Sequence, residues 1–218
     1  MDTRQQGFPL RQAALIVAGV ALLAVAGLFV QDPPAAWEES VFRALNDLPH
    51  NIEPLLWVLQ QMGSALVMPF AALVLWRMTR RWQPPVALVV TGFLLGWVGA
   101  KVVKAMVGRG RPGAILDDVV LGFDVPTAEI GFPSGHAVLV FTLVVVFAPY
   151  LAKRGRIVAV GLGIAVGLTR IYVGAHFPLD VIGGAGYGVA IGTVATLLSR
   201  PGLVGSWTVR GRSASRKR

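Results

Sequence analysis

Cysteine is absent from this chain, so disulfides and thiolate chemistry play no part in its stability or its reactions. Charge is scarce too. Asp, Glu, Lys and Arg together make up 14% of the 218 residues, against roughly 25% in soluble domains, and the deficit argues for a polytopic membrane protein. Acids are the scarcer sign, 11 against 20 Lys and Arg, which leaves a net charge of +9. A pI near 11.0 would suit a nucleic-acid binder. The placement of the basic residues argues otherwise, because they gather at the ends of apolar runs, as in membrane proteins. The bilayer, not nucleic acid, is the partner this pattern implies.

Apolar sequence is what the chain has in quantity: 55% of its residues are hydrophobic and the mean hydropathy is +0.65. The first run, Gln12 to Val30, carries no charge and approaches the ~20 residues that cross a bilayer. A secretory signal peptide is the competing reading, although its apolar core normally has about 7–15 residues. Either reading leaves Gln31 onward outside the cytoplasm. Asp32 to Glu53 is acidic, with Trp37, Val41, Phe42, Leu45 and Leu48 at helical spacing, and predicts a short helix on the outer interface. An ordinary packed surface helix fits the same spacing. His50, between Pro49 and Asn51, reads as a turn or interface residue.

Pro54 to Trp76 predicts a second span, in which Gln60, Gln61 and Ser64 read as bonding to neighbouring helices without chemistry of their own. Arg77, Arg80 and Arg81 mark an inner loop. A third span is expected from Pro85 to about Val107, a fourth from His136 to about Ala152, a fifth from about Ile157 to Ala175 and a sixth from Pro178 to about Ser199. Pro178 suits a helix opening. Gly163 and Gly167, with Gly184, Gly188 and Gly192, form small-residue rows that would let helices five and six approach closely. The expected fold is therefore all-α: a polytopic membrane protein of six transmembrane helices with a short interfacial helix. Residues 1–199 read as one membrane-embedded domain and residues 200–218 as a basic, flexible cytoplasmic tail. Both termini would be cytoplasmic, in the plasma membrane.

With that topology, three polar stretches from distant parts of the chain fall at one depth on the outer side. Phe132-Pro133-Ser134-Gly135-His136-Ala137 sets a capping serine, a bare glycine and a histidine at the start of an apolar helix, where open N–H groups suit a phosphate-like anion. Upstream, Lys104 and Arg111 are followed by Pro112; downstream lie Arg170, His176 and Asp180. Lys104, Arg109, Arg111 and Arg170 sit where Lys and Arg are normally shed, and a functional role is the default for such charges. Lys101 reads as snorkelling to the interface. Lys104, Arg111 and Arg170 would supply many donors to a tetrahedral phosphate. Arg170 and His176 would lie about 9 Å apart along an unbroken helix. Asp180, four positions after His176, would fix its tautomer and free the other ring nitrogen to attack phosphorus. Two histidines in one basic site suggest that one attacks while the other protonates the leaving oxygen. Asp117 and Asp118 read as solvated; no metal cluster is expected, and no cofactor.

These three stretches resemble the signature of the type 2 phosphatidic acid phosphatase superfamily, the integral-membrane lipid phosphate phosphatases. Its Lys-x6-Arg-Pro element matches Lys104, Arg111 and Pro112, its Pro-Ser-Gly-His matches Pro133 to His136, and its Arg-x5-His-x3-Asp matches Arg170, His176 and Asp180. Thr169 and Gly131 stand where that family commonly has serine. The resemblance implies a metal-independent enzyme that cleaves a lipid phosphate or diphosphate, such as a polyprenyl diphosphate or phosphatidate, at the outer face. It makes His176 the nucleophile that becomes phosphohistidine, Asp180 its orienting partner and His136 the general acid. Lys104, Arg111, Ser134, Gly135 and Arg170 would hold the phosphate. A phosphotransferase of the same family is the alternative, and a non-catalytic transporter or binding protein a distant one. A conduction path needs polar groups through the bilayer depth, whereas the charges here gather at one edge.

Overall fold

The computed structural model describes residues 10–126 and 130–200, and among these it forms ten α-helices and no strand. The expected tail over 200–218 lies outside the described residues apart from Arg200. α1 (Leu10–Phe29) is apolar beyond Arg11 and Gln12, and α2 (Ala36–Asn46) is the short amphipathic helix. α3 (Glu53–Gln60) and α4 (Val67–Thr79) follow. α5 (Gln83–Thr91), a π-helical stretch (Gly92–Gly99) and α6 (Ala100–Val107) run on as one 25-residue rod. α7 (Pro112–Ile115) is a single turn. α8 (Gly135–Phe147), α9 (Lys153–Tyr172) and α10 (Pro178–Leu198) complete the set.

Among the described residues, four helices have the length and apolarity to cross a membrane: Leu10–Phe29, Gln83–Val107, Lys153–Tyr172 and Pro178–Leu198. The second predicted span is not a single rod. The chain is bent by 59° between His50–Gly63 and Val67–Thr79. Gly63 explains the break, because it packs against the main chain of His136, where a Cβ would lie 2.8 Å from the carbonyl oxygen. Ser64 then turns extended, and Pro69, which lacks an N–H, sits in the first turn of α4 where that is tolerated. The fourth predicted span is short, 13 residues of α8 prolonged by a 3-10 turn at Ala148–Tyr150 that contains Pro149.

α10 is the central element, with α1 on one side and α8 on the other. Its glycines make this possible, mostly against α8 and α1 and not against α9, the neighbour predicted. Added Cβ atoms at Gly184 and Gly192 would meet the carbonyls of Ser134 and Thr142 at 2.7 Å, both on the α8 side. Gly188 also faces α8, and Gly186 faces Gly19 and Leu22 of α1. On α9, Gly163 meets Phe141 and Val144 of α8, and only Gly167 faces α10, at Val181. The small-residue row of helix six therefore serves its contact with helix four. Sequence spacing shows that such a row exists, not which neighbour fills it.

α2 likewise turns a different face inward. Phe42 is fully buried as expected, yet its companions are Glu38 and Asn46, while Trp37, Val41 and Leu48 are exposed. Asn46 donates its amide to the carbonyls of Val120 and Tyr172, each at 2.8 Å, and so ties α2 to α9 and to the connection between α7 and α8. His50 stacks on Tyr172 and contacts the Asn46 carbonyl and Glu53, which is a structural role.

The end of α9 departs from the sequence reading in a way that shapes the site. The helix stops at Tyr172, three residues earlier than predicted. Gly174 takes the left-handed conformation at φ +74°, and a Cβ there would strike the Val120 carbonyl at 2.6 Å. The N–H groups of Ala175 and His176 then both donate to the Arg170 carbonyl, at 3.0 and 3.1 Å. His176 is thereby folded back beside α10 instead of continuing along α9.

Candidate active site

The connection between α6 and α8 is stapled where it passes the helix ends. Gly110 pairs with Ile130, and the Gly131 N–H donates to the Arg109 carbonyl at 2.8 Å. This brings the Lys104–Arg111 stretch against the loop that enters α8. There Ser134 caps the helix, its Oγ accepting the Ala137 N–H at 3.5 Å. Nothing lies within 4 Å of where a Cβ on Gly135 would stand, so the backbone at the helix start is open to a ligand. On the third side, residues 171–180 are buried without a break.

His176 sits at the meeting point, 2% exposed. Its Nδ1 is 3.3 Å from Asp180 Oδ2 and its Nε2 is 3.3 Å from Arg111 Nη1. An ionised carboxylate only accepts and a guanidinium only donates. The hydrogen is therefore on Nδ1, and Nε2 presents a lone pair to the cationic side. Burial first, then Arg111, Lys104, Arg170 and His136, push the His176 pKa well below the ordinary 6.5 and keep the ring neutral. His136 in turn lies within the electrostatic reach of Arg170 and Arg111.

The cations are each held by oxygens. Arg111 Nη1 donates to the Ala175 carbonyl at 2.7 Å, and burial lowers its pKa without removing its charge. Lys104 Nζ donates to the Gly131 carbonyl at 2.7 Å. Arg170 is fully buried; its Nη1 donates to Gln60 Oε1 at 2.5 Å and its Nη2 to the Asp124 carbonyl at 3.0 Å. Its Nε has no partner among the described residues.

A cavity of about 790 Å³ opens beside this cluster. Lys104, Arg111 and His136 line its polar end, and Trp97, Ala100 and Leu139 its apolar end. Lys101 also lines it, with its Nζ 3.7 Å from the ring centroid of Trp97, one turn toward the helix start. Among the described residues no group of three or more His, Asp or Glu is placed to hold a metal ion.

Of the eight residues singled out from the sequence, Lys104, Arg111, Gly135 and His136 line this cavity, while Ser134, Arg170, His176 and Asp180 are buried; the structure adds three more. Gln60, read only as a helix-packing residue, anchors Arg170. Arg109, read as one basic residue among several, is 1% exposed and bonded to Asp180. Glu38, read as part of an acidic interfacial helix, is fully buried and bonded to Arg109. The one signal for Glu38 was its place four and eight residues before Phe42 and Asn46, on the face of α2 that packs inward.

Residues 82–201, more than half of the chain, match the PAP2 superfamily, and the chain belongs to that superfamily. It is 35% identical over 109 residues to a lipid A 1-phosphatase of Rhizobium johnstonii, covering 48% of this chain and 44% of that protein. The match spans less than half the length of that relative. The fold is similar to the crystal structure of Aquifex aeolicus LpxE, with a TM-score of 0.66 and 25% identity over 75% of this chain and 96% of the other. It is also similar to a transmembrane PAP2 type phosphatidylglycerolphosphate phosphatase from Bacillus subtilis, with a TM-score of 0.65 and 20% identity over 85% and 94%. The apolar helices and the membership of this superfamily agree on an integral membrane protein.

Proposed function

We propose that this chain is a metal-independent lipid phosphatase of the cell membrane that works through a phosphohistidine intermediate. The observation that carries the reading is His176 held between Asp180 and Arg111, with its Nε2 lone pair directed to the cationic pocket. In the proposed reaction Nε2 attacks phosphorus and the P–O bond to the lipid breaks. His136 gives its proton to the departing oxygen. Water then attacks the phosphohistidine, His136 takes a proton from it, and phosphate leaves with His176 restored. The ring becomes cationic once Nε2 bonds phosphorus while Nδ1 keeps its hydrogen, and Asp180 stabilises that charge. Lys104, Arg111 and Arg170, with the open backbone after Ser134 and at Gly135, surround the phosphoryl oxygens and need no metal to balance them.

The bilayer arrangement belongs to the same proposal. The four long helices, the bent α3–α4 pair and α8 with its 3-10 extension make six crossings, with both ends cytoplasmic and α2 at the outer interface. The site then faces outward, and the apolar end of the cavity takes the first part of a lipid tail. The names of the relatives point to lipid A 1-phosphate and phosphatidylglycerol phosphate, and a polyprenyl diphosphate presents a comparable terminal phosphate.

The test is phosphate release by the purified protein in detergent, with chelator, from lipid A, polyprenyl diphosphate, phosphatidate and phosphatidylglycerol phosphate. Release from at least one lipid is expected. Silence on all four, or a strict need for Mg²⁺, overturns the reading. Adding an alcohol acceptor to the same assay separates hydrolysis from phosphoryl transfer.

A further inference from the structure

Behind the His176–Asp180 pair lies a second layer of buried charge that the proposed reaction does not use. Arg109 Nη1 donates to Glu38 Oε1 at 3.0 Å and to Asp180 Oδ1 at 3.0 Å, and its Nη2 donates to Glu38 Oε2 at 2.6 Å. The side chains of Glu38, Arg109 and Asp180 are all fully buried. Glu38 Oε1 also accepts the Leu179 N–H at 2.9 Å, so one carboxylate holds both the guanidinium and the first turn of α10. The guanidinium lies 4.4 Å from the ring centroid of Phe177, which fixes its plane. Burial weighs against the charge on Arg109, yet the bonds to Glu38 and Asp180 raise its pKa overall.

The division of the bonds is informative. A guanidinium facing one carboxylate normally gives it both arms of the fork. Here Glu38 takes the fork, and Asp180 receives a single bond on Oδ1. Asp180 Oδ2 is left for the Phe177 N–H at 3.0 Å and for His176 Nδ1. With two carboxylates and one guanidinium the trio carries one net negative charge, facing the ring that turns cationic when Nε2 bonds phosphorus. Without the Glu38 charge, Arg109 would neutralise Asp180 and draw its carboxylate off the imidazole. Glu38 precedes residue 82, where the superfamily match begins.

We infer that Glu38, acting through Arg109, is a positioning residue for the Asp180–His176 pair. It makes α2 part of the machinery of the site and not only a helix at its edge. The inference rests on the phosphatase reading for its kinetic consequences, though not for its effect on the His176 ring. Glu38→Gln is expected to lower kcat about 10- to 100-fold, by analogy with the residues that orient metal-bound histidines from behind. KM should stay within about threefold, because the phosphate-binding cations are untouched. Arg109→Lys, which keeps the charge but loses the fork, should show the same split and serves if Glu38→Gln does not fold.

Nitrogen NMR of the three histidines reads the ring directly. Wild-type His176 should carry its hydrogen on Nδ1, and Glu38→Gln or Arg109→Lys should shift it toward Nε2. An unchanged kcat together with an unchanged His176 tautomer overturns the inference. A wild-type protein that releases no phosphate from any lipid defeats the functional reading instead, and the NMR comparison still decides the role of Glu38.

Discussion

The main-chain N–H of Ser134 donates to the carbonyl of Asp180 at 2.9 Å, so the residue two before His136 is bonded directly to the residue four after His176. The helix starts of α8 and α10 are thereby locked to each other at the site. Changes to that junction should be felt in chemistry as much as in stability.

His176→Ala should abolish turnover, with a loss of roughly 10⁴-fold or more as for other nucleophiles in concerted sites. The protein should remain folded, since a small side chain replaces a ring held by two weak bonds of 3.3 Å. Wild-type enzyme given lipid labelled in its phosphoryl group and quenched in alkaline detergent should retain the label on protein, and the variant should not. Full hydrolysis by the variant would rule out the covalent route.

His136→Ala should slow departure of the lipid oxygen by about 10²- to 10⁴-fold. The loss should shrink for a substrate whose leaving group needs no proton, such as a nitrophenyl phosphate. An equal loss on both substrates would remove His136 from the role of acid.

Acid should reach His176 late. Its folded-state pKa lies well below the 6.5 of the free side chain, chiefly through burial and then through Arg111. Below pH 6.5 the unfolded chain takes up this proton while the folded chain does not. The group therefore contributes no penalty above pH 6.5 and subtracts stability as pH falls below it. A nitrogen NMR titration should show the ring still neutral at pH 6.5; a half-protonated ring there would contradict the geometry described.

Gly184→Ala should disturb both the fold and the site. The new Cβ would stand 2.7 Å from the Ser134 carbonyl and 2.9 Å from the Ala137 Cβ, so α8 must move. A loss of about 1–3 kcal/mol is expected from such overpacking, with a fall in activity because His136 shifts too. Gly161→Ala has nothing within 4 Å and is the control. Thermal unfolding of the two variants in detergent checks the difference.

Much of this protein was legible in one dimension. Runs of apolar residues bounded by arginines determine the helical, membrane-bound character, because hydropathy over about twenty residues is a local property. Lys104, Arg111, Ser134, Gly135, His136, Arg170, His176 and Asp180 stood out because each lies in a short pattern whose chemistry is set by residue type. What only the tertiary structure decided are the pairings made across long separations. Glu38 was one acid of an acidic helical segment until Arg109, 71 positions away, was found bonded to it. The break near Gly63 is set by the backbone of His136, and the glycine row of α10 serves α8 because Ser134, Val138 and Thr142 present their carbonyls there. Hydropathy and spacing report what a residue prefers as neighbours, whereas close packing and the pairing of buried charge select which neighbour it receives.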